Sequence, residues 1–259
     1  MKPAPRTTSV TLTALDTVPL VEAGDDLAAL LGGALRCARI APRDSDILVV
    51  AQKVVSKAEG RLVDLNGVVP GPCANTVARE VAKDPRLVEV ILAQSSEIVR
   101  HRKDVLVVAH TLGFVMANAG VDQSNVGPEG SDLVLLLPEN PDESARKLKT
   151  RLDAEFNVDL GIIINDSFGR PWRQGVVGVA LGAAGIPSLR NLVGTPDLFG
   201  RTMRVTEVAV ADEVASAASL VMGQGDEGIP AVHVRGVAFC DESLPASALI
   251  RPRELDMFR

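Results

Sequence analysis

Leu133-Val-Leu-Leu-Leu137, Asn140-Pro-Asp-Glu143 and Leu160-Gly-Ile-Ile-Ile-Asn-Asp166 follow one another in the middle of the chain, and their reading decides the fold. An apolar run, a capped amphipathic segment and a second apolar run have the order of a βαβ unit. Asn140 with Glu143 three residues on resembles a capping box, and Pro141 suits a first helical position. Ala145, Leu148, Leu152 and Phe156 then recur at helical spacing. On this reading Asp166 falls just past the carboxyl end of a strand, in the crevice where open α/β sheets gather their ligands.

Outward from this unit, the alternation in Ser9–Leu15 predicts an opening strand, and Asp25 or Asp26 caps a helix running to about Arg39. Asp46–Val50 reads as a buried strand leading into Gln52–Gly60, with two lysines beside the strand end. Helices are predicted over Asn75–Lys83, Pro85–Ala93 and Asp212–Met222, and strands at Val105–Ala109 and Val232–Phe239. Gly175–Gly185, punctuated by glycine, reads as a strand and tight turn where another backbone packs close. With no internal repeat or linker-like tract, the expectation is a single domain over residues 1–259. Its class is α+β or mixed α/β, with two intimate lobes sharing a core.

The length of 259 residues allows a substantial core, and the hydrophobic fraction of 46% is supplied by Val, Leu and Ala, since aromatics make up only 3%. A net charge of −6 and the scarcity of stacking side chains argue against a nucleic-acid partner. The longest uncharged run, Val105–Val121, is broken by His110, Thr111, Gly113 and Asn118, so it reads as a strand plus a loop and no membrane partner is expected. Met1–Asp25 lacks a secretory pattern, which points to the cytoplasm. Cys37, Cys73 and Cys240 form no CxxC pair and read as buried small apolar side chains. His101, His110 and His233 read as satisfied structural histidines.

Three polar stretches stand out against this aliphatic background: Asn118–Val126, Asn165–Gly175 and Met222–Ile229. They supply hard oxygen ligands (Asp122, Asp166, Ser167, Gln224, Asp226, Glu227) beside glycines that let backbone N–H groups approach a phosphate. Arg170 and Arg173 add cationic forks suited to a carboxylate or phosphate. Lys53 and Lys57 could bind phosphates as point charges, and Asn125 could offer an amide to a nucleotide. Each has a plainer role available: a turn or cap for Asp122 and Asp166, a surface ion pair for the arginines, solvated lysines at a strand edge, a glycine C-cap at Met222-Gly223. There is no GxxxxGK[ST] loop, no strand-GxGxxG-helix fingerprint and no GxSxG elbow.

Taken in order, Gln52–Arg61, Asn118–Val126, Asp166–Gly175 and Met222–Pro230 resemble the coenzyme F420-0:L-glutamate ligase (F420 gamma-glutamyl ligase) family over essentially the whole chain. The resemblance implies that family's fold, an intertwined homodimer with the site near the interface, and GTP-dependent joining of L-glutamate to coenzyme F420-0, extended by γ-linked glutamate. It implies Asp122, Asp166, Ser167 and Gln224 as ligands of Mg²⁺ or Mn²⁺, with K⁺ a further candidate. It also implies GTP contacts from Val18, Pro19, Leu20, Val21, Gln52, Lys53, Lys57, Asn125 and the stretch Met222, Gly223, Gln224, Gly225, Asp226, Glu227, Gly228 and Ile229.

Ser167 stands where archaeal members carry Thr, which keeps the hydroxyl. Actinobacterial relatives carry an additional nitroreductase-like domain, and none is expected here. Ligation of this kind needs the acceptor carboxylate activated, as an acyl phosphate, before the glutamate amine attacks; Asp166, Arg170 and Arg173 are the candidate catalytic residues. The rival readings are a metal-dependent nucleotide phosphohydrolase and a non-catalytic nucleotide-sensing dimer.

Overall fold

The computed structural model describes residues 7–128, 130–239 and 241–257. In chain order the first half contains β1 (Thr11–Leu15), α1 (Leu27–Cys37), β2 (Ile47–Ala51), α2 (Gln52–Ala58), β3 (Leu62–Asp64), α3 (Pro72–Val81), α4 (Pro85–Ala93), β4 (Ser95–Arg102), β5 (Val105–His110) and β6 (Val115–Ala117). The second half contains β7 (Leu133–Leu135), α5 (Pro141–Phe156), β8 (Gly161–Arg170), β9 (Arg173–Ala184), β10 (Arg190–Asn191), β11 (Glu207–Val208), α6 (Val210–Met222) and β12 (Ala231–Arg235). The fold is mixed α/β.

Its largest sheet has the order β1-β12-β2-β8-β9, in which β2 and β8 are parallel and every other pair is antiparallel. Ile47-Leu-Val-Val50 and Ile162-Ile-Ile164 are buried throughout because the sheet is covered on both faces. On one face Leu48, Val50, Ile162 and Ile164 pack with Leu31 and Leu35 of α1 and Leu152 of α5. On the other, Ile47, Val49, Ile163 and Val232 pack with Ala211, Ala215 and Ala218 of α6. A third cluster sets Val77 and Val81 of α3 and Val88 and Ile91 of α4 against Leu106 and Val108 of β5. Close helix approach requires glycine in β9: a Cβ at Gly178 would strike the Ala215 carbonyl of α6, and one at Gly182 would strike the Pro141 carbonyl of α5.

The βαβ reading needs correction. β7 pairs antiparallel with β3 in a separate two-stranded sheet, so α5 does not connect neighbours of one sheet. The parallel partner of β8 is β2, and the connection between them spans everything from α2 to α5. The helix itself is as expected, with Asn140 capping through a hydrogen bond from the Glu143 N–H at 3.1 Å. Asp166 likewise sits inside β8, opposite Val179 of β9. Because β2 ends at Ala51 opposite Asn165, Asp166 is the first residue of β8 beyond its parallel neighbour.

Smaller differences have local causes. Asp26, of the two caps considered, accepts from the Ala29 N–H. α3 starts earlier than expected, at Pro72, a residue suited to the first turn. β12 stops at Arg235 because Gly236 takes φ 102°. The polar β4 carries too many charges to be read as a strand and is held by pairing with β5. Cys37 and Cys73 are exposed, each off the buried stripe of its helix; Cys240 lies outside the described residues. His101 lies 3.6 Å from Glu80 at the surface. His110 is buried with Nδ1 accepting from the Leu112 N–H, while its Nε2 has no hydrogen-bond partner among the described residues.

His233 is satisfied as expected, in a buried cluster at the start of β2. Asp46 accepts from His233 Nε2 at 2.9 Å and from Arg235 at 2.9 and 2.6 Å, and the Arg43 N–H adds a further bond. Burial opposes its charge, but these bonds prevail and hold its pKa below the usual carboxylate range. Asp46→Asn is therefore expected to cost about 2 kcal/mol at pH 7, since the buried Asp46 gives up its charge-assisted bonds to the partly exposed Arg235. The lowered pKa makes this stabilisation full above about pH 4 and lost progressively below it. Urea denaturation of both proteins at pH 7 and pH 3 checks this: a gap that does not narrow at pH 3 would contradict it.

Candidate active site

β2 hands directly into α2, and the one-turn spacing of Lys53 and Lys57 puts both ammonium groups on the same side of that helix. The last residue of β2, Ala51, donates its N–H to Pro230 O at 2.8 Å, which brings the end of the glycine-rich loop after α6 against the same strand end. Asp166 and Ser167 project beyond this point on β8. A cavity of about 500 Å³ lies between these elements.

The cavity is lined by Val18, Pro19, Leu20 and Val21 from the β1–α1 connection, by Gln52, Lys53 and Lys57 from α2, and by Asp122 and Asn125. Asp166 and Ser167 of β8 and the whole loop Met222, Gly223, Gln224, Gly225, Asp226, Glu227, Gly228 and Ile229 complete it. The structure thus collects nearly all the sequence-predicted site residues. Arg170 and Arg173 are the exceptions, because β8 continues as a hairpin with β9 and they pair opposite each other at its tip. Arg170 stands three steps along the strand from Ser167, about 10 Å. Sequence reasoning missed Ser124 and Asn165 as cavity residues. Ser124 was detectable as the third residue of an Asx turn, and Asn165 as the residue that opens the second polar stretch.

Asp122 is presented by a left-handed turn in which Asn118, Ala119 and Gly120 have φ of 53°, 52° and 67°. For the two non-glycine residues this conformation costs about 1 kcal/mol each, offset by complete burial of Ala119. Backbone bonds in both directions between Asp122 and Leu135, at 3.0 and 2.9 Å, then fix its position. Lys53 Nζ reaches Asp122 Oδ2 at 2.7 Å, and Lys57 Nζ reaches Asn125 O at 2.7 Å. Asn125 donates in turn to Gly225 O at 3.2 Å, tying two of the polar stretches together.

In the glycine-rich loop, Gly223 and Gly228 adopt positive φ of 73° and 67°. The Glu227 carboxylate folds back to accept from the Gly225 N–H at 2.8 Å. N–H groups of Glu227, Gly225 and Gln224 together hold its pKa low, so the loop amides converge on a negative oxygen as an anion nest does.

Asp166 has the opposite electrostatics. Burial, with the nearby Asp122 charge adding to it, pushes its pKa up to about 6 against the opposing Ser167 N–H and Lys53. Two carboxylates, the Ser167 hydroxyl and the Gln224 amide form a hard-oxygen set around a site whose charge is under-compensated. Asn165 adds a buried Oδ1 with no hydrogen-bond partner among the described residues, while its Nδ2 donates to Ser219 Oγ and Met222 Sδ. No group of three His, Cys, Asp or Glu suited to a metal occurs among the described residues. This mixed donor set suits Mg²⁺ or Mn²⁺, with the open positions left to phosphate oxygens or water. A larger cavity, about 940 Å³, opens between α5, the end of β9, Phe239 and residues 241–250. Its charged groups are engaged elsewhere: Asp142 accepts from Ala183, Ala246 and Ser247 N–H groups, and Lys149 bonds Asp153 and Asp159.

The smaller cavity therefore gathers lysines, loop amides and hard oxygen donors, a combination that metal-dependent nucleotide enzymes also use. A family model described as F420-0:Gamma-glutamyl ligase matches residues 16–236. Among similar proteins is one named coenzyme F420:L-glutamate ligase from Methanothermobacter thermautotrophicus, 46% identical over 96% of this chain and 99% of its own length. A protein of the same name from Methanopyrus kandleri is 47% identical over 95% and 97%, and one from Methanocaldococcus jannaschii is 44% identical over 83% and 85%. The chain belongs to the F420-0:gamma-glutamyl ligase family.

A raised carboxylate pKa destabilises the fold wherever that carboxylate is ionised. Asp166→Asn is expected to stabilise the metal-free protein by about 2 kcal/mol at pH 7, the gain shrinking as pH falls from about 6 toward 4. Metal-dependent turnover of the same preparation is expected to fall about a hundredfold or more. Thermal melts across pH with parallel assays test both; a destabilised variant with normal turnover would make Asp166 a turn residue.

Proposed function

We propose that this protein is a GTP-dependent ligase that joins L-glutamate to coenzyme F420-0 and extends it by γ-linked glutamate. The observation that carries the reading is the single cavity in which two lysines, a nest of loop amides and a mixed oxygen donor set meet. Family membership and relatives named for coenzyme F420 and L-glutamate support the substrates. Lys53, Lys57 and the Gln224–Glu227 amides bind and orient the triphosphate. Asp122, Asp166, Ser167 and Gln224 would hold Mg²⁺ or Mn²⁺, which when bound neutralises charge on the transferring phosphoryl group; K⁺ is a further candidate ion.

The γ-phosphoryl passes to the acceptor carboxylate, giving an acyl phosphate and GDP. The glutamate amine then attacks the acyl carbon, the amide bond forms, and phosphate leaves. Val18, Pro19, Leu20 and Val21 give the cavity an apolar side against which the nucleotide would pack.

We also infer an intertwined homodimer built from two lobes that share a core, acting in the cytoplasm. Leu198 and Phe199, on the arm between β10 and β11, are 97% and 95% exposed, and Trp172 at the β8–β9 tip is 88% exposed, which suits cover by a second copy. No helix of the described residues is long and apolar enough to cross a membrane.

Incubated with F420-0, GTP, Mn²⁺ and L-glutamate, the protein is expected to yield products heavier by whole glutamyl units, with GDP and phosphate formed only when both acceptor and glutamate are present. Mass spectrometry with a phosphate assay reads this directly. GTP turnover equally fast without glutamate would identify a phosphohydrolase instead, and tight GTP binding without turnover a sensor. Light scattering is expected to give twice the chain mass; a fully active monomer would refute the dimer.

A further inference from the structure

The two oxygens of Asp122 are differently engaged. Oδ1 accepts from the Ser124 N–H at 2.8 Å and from the Ser124 hydroxyl at 2.9 Å, whereas Oδ2 accepts the Lys53 ammonium at 2.7 Å. The other two donors of that ammonium go to Ser124 Oγ at 2.7 Å and Ser124 O at 3.0 Å. An ammonium has three N–H donors and all are used here. In this arrangement Lys53 has nothing left to offer a phosphate, and the oxygen of Asp122 that Ser124 leaves open already faces a positive charge. The duties assigned to Lys53 and Asp122 under the proposed function exclude each other in this arrangement.

We propose that Lys53 is a stand-in for the divalent cation: its ammonium occupies Asp122 Oδ2 until nucleotide phosphates draw it away, so the metal enters with or after the nucleotide. The inference rests on the reading of the cavity as a metal–nucleotide site and adds an order of loading to it. Three features favour exchange over a permanent ion pair. Lys53 sits at the start of a short helix on a flexible stem, so its head can swing between two anions without moving the backbone. The pair is partly exposed, with side-chain exposures of 27% and 35%, so parting it costs little. Ser124 would keep Asp122 aimed after the lysine leaves, because its two bonds to Oδ1 do not involve Lys53. A divalent ion entering first would meet the ammonium at close range without a phosphate to separate the charges.

The test is Mn²⁺ binding to nucleotide-free protein, read from the electron paramagnetic resonance signal of free Mn²⁺, for wild type, Lys53→Met and Lys53→Gln. Both variants are expected to bind Mn²⁺ about tenfold or more tightly than wild type, through removal of one competing like charge. Titration calorimetry in EDTA is expected to show GTP binding to wild type without metal, and weaker binding to the variants. Mn²⁺ affinity in the folded variants no greater than in wild type would overturn the proposal. So would stoichiometric micromolar Mn²⁺ binding by nucleotide-free wild type, which decides the matter even if neither variant folds. A wild type that binds no GTP with or without Mn²⁺ would instead remove the nucleotide reading, while the Mn²⁺ comparison still judges Lys53.

Discussion

The parallel pairing of Ile47–Ala51 with Gly161–Asn165 is the constraint on which the rest of the structure depends. It places the carboxyl end of β2 level with Asn165, so the chain leaving β2 as α2 delivers Lys53 and Lys57 beside the next residues of β8, Asp166 and Ser167. The pairing is secured by burial on both faces, with Ile47, Val49 and Ile163 against α6 and Leu48, Val50, Ile162 and Ile164 against α1 and α5. Such burial stabilises by roughly 1.5–3 kcal/mol for each large aliphatic side chain, before conformational entropy is subtracted. A one-residue slip would turn Asp166 to the other face of the sheet.

Around that fixed point the site is assembled by tethers weaker than the core. The Ala51–Pro230 backbone bond, the Asn125–Gly225 contact and the two lysine contacts to the 122–125 loop draw segments from three parts of the chain to one cavity. Their partial exposure contrasts with the buried Asp46–His233 pair, to which Arg235 adds a further ion pair, at the opposite end of β2. One end of the strand is locked by satisfied charge, and the other is left with charge that a ligand can complete. The raised pKa of Asp166 and the nest occupied by Glu227 are two signs of that incompleteness, one calling for a cation and one offering to bind an anion.

The glycines and left-handed residues near the cavity serve the same end. Gly178 and Gly182 let α6 and α5 close on β9, so the helix that carries the 222–229 loop sits directly against the strand paired with β8. The left-handed turn at Asn118 and Ala119 presents Asp122, and the burial of Ala119 offsets its backbone cost.

Sequence alone determined the apolar strands, a cap at Asp25 or Asp26, the cap at Asn140 and the three polar stretches, because capping, periodicity and turn chemistry act over a few residues. It also identified, through the order of four motifs, nearly every residue that lines the cavity. Only the tertiary structure decided that β8 pairs with β2 and not β7, because Leu133–Leu135 and Ile47–Val50 are equally apolar and a run's partner is not written in its own side chains. Arg170 and Arg173 left the cavity for the same reason: adjacency to Asp166 in sequence becomes about 3.3 Å per residue once β9 keeps the chain extended. The contact between Lys53 and Asp122 joins segments about seventy residues apart, and only the packing that closes the connection between β2 and β8 could bring those charges within 2.7 Å.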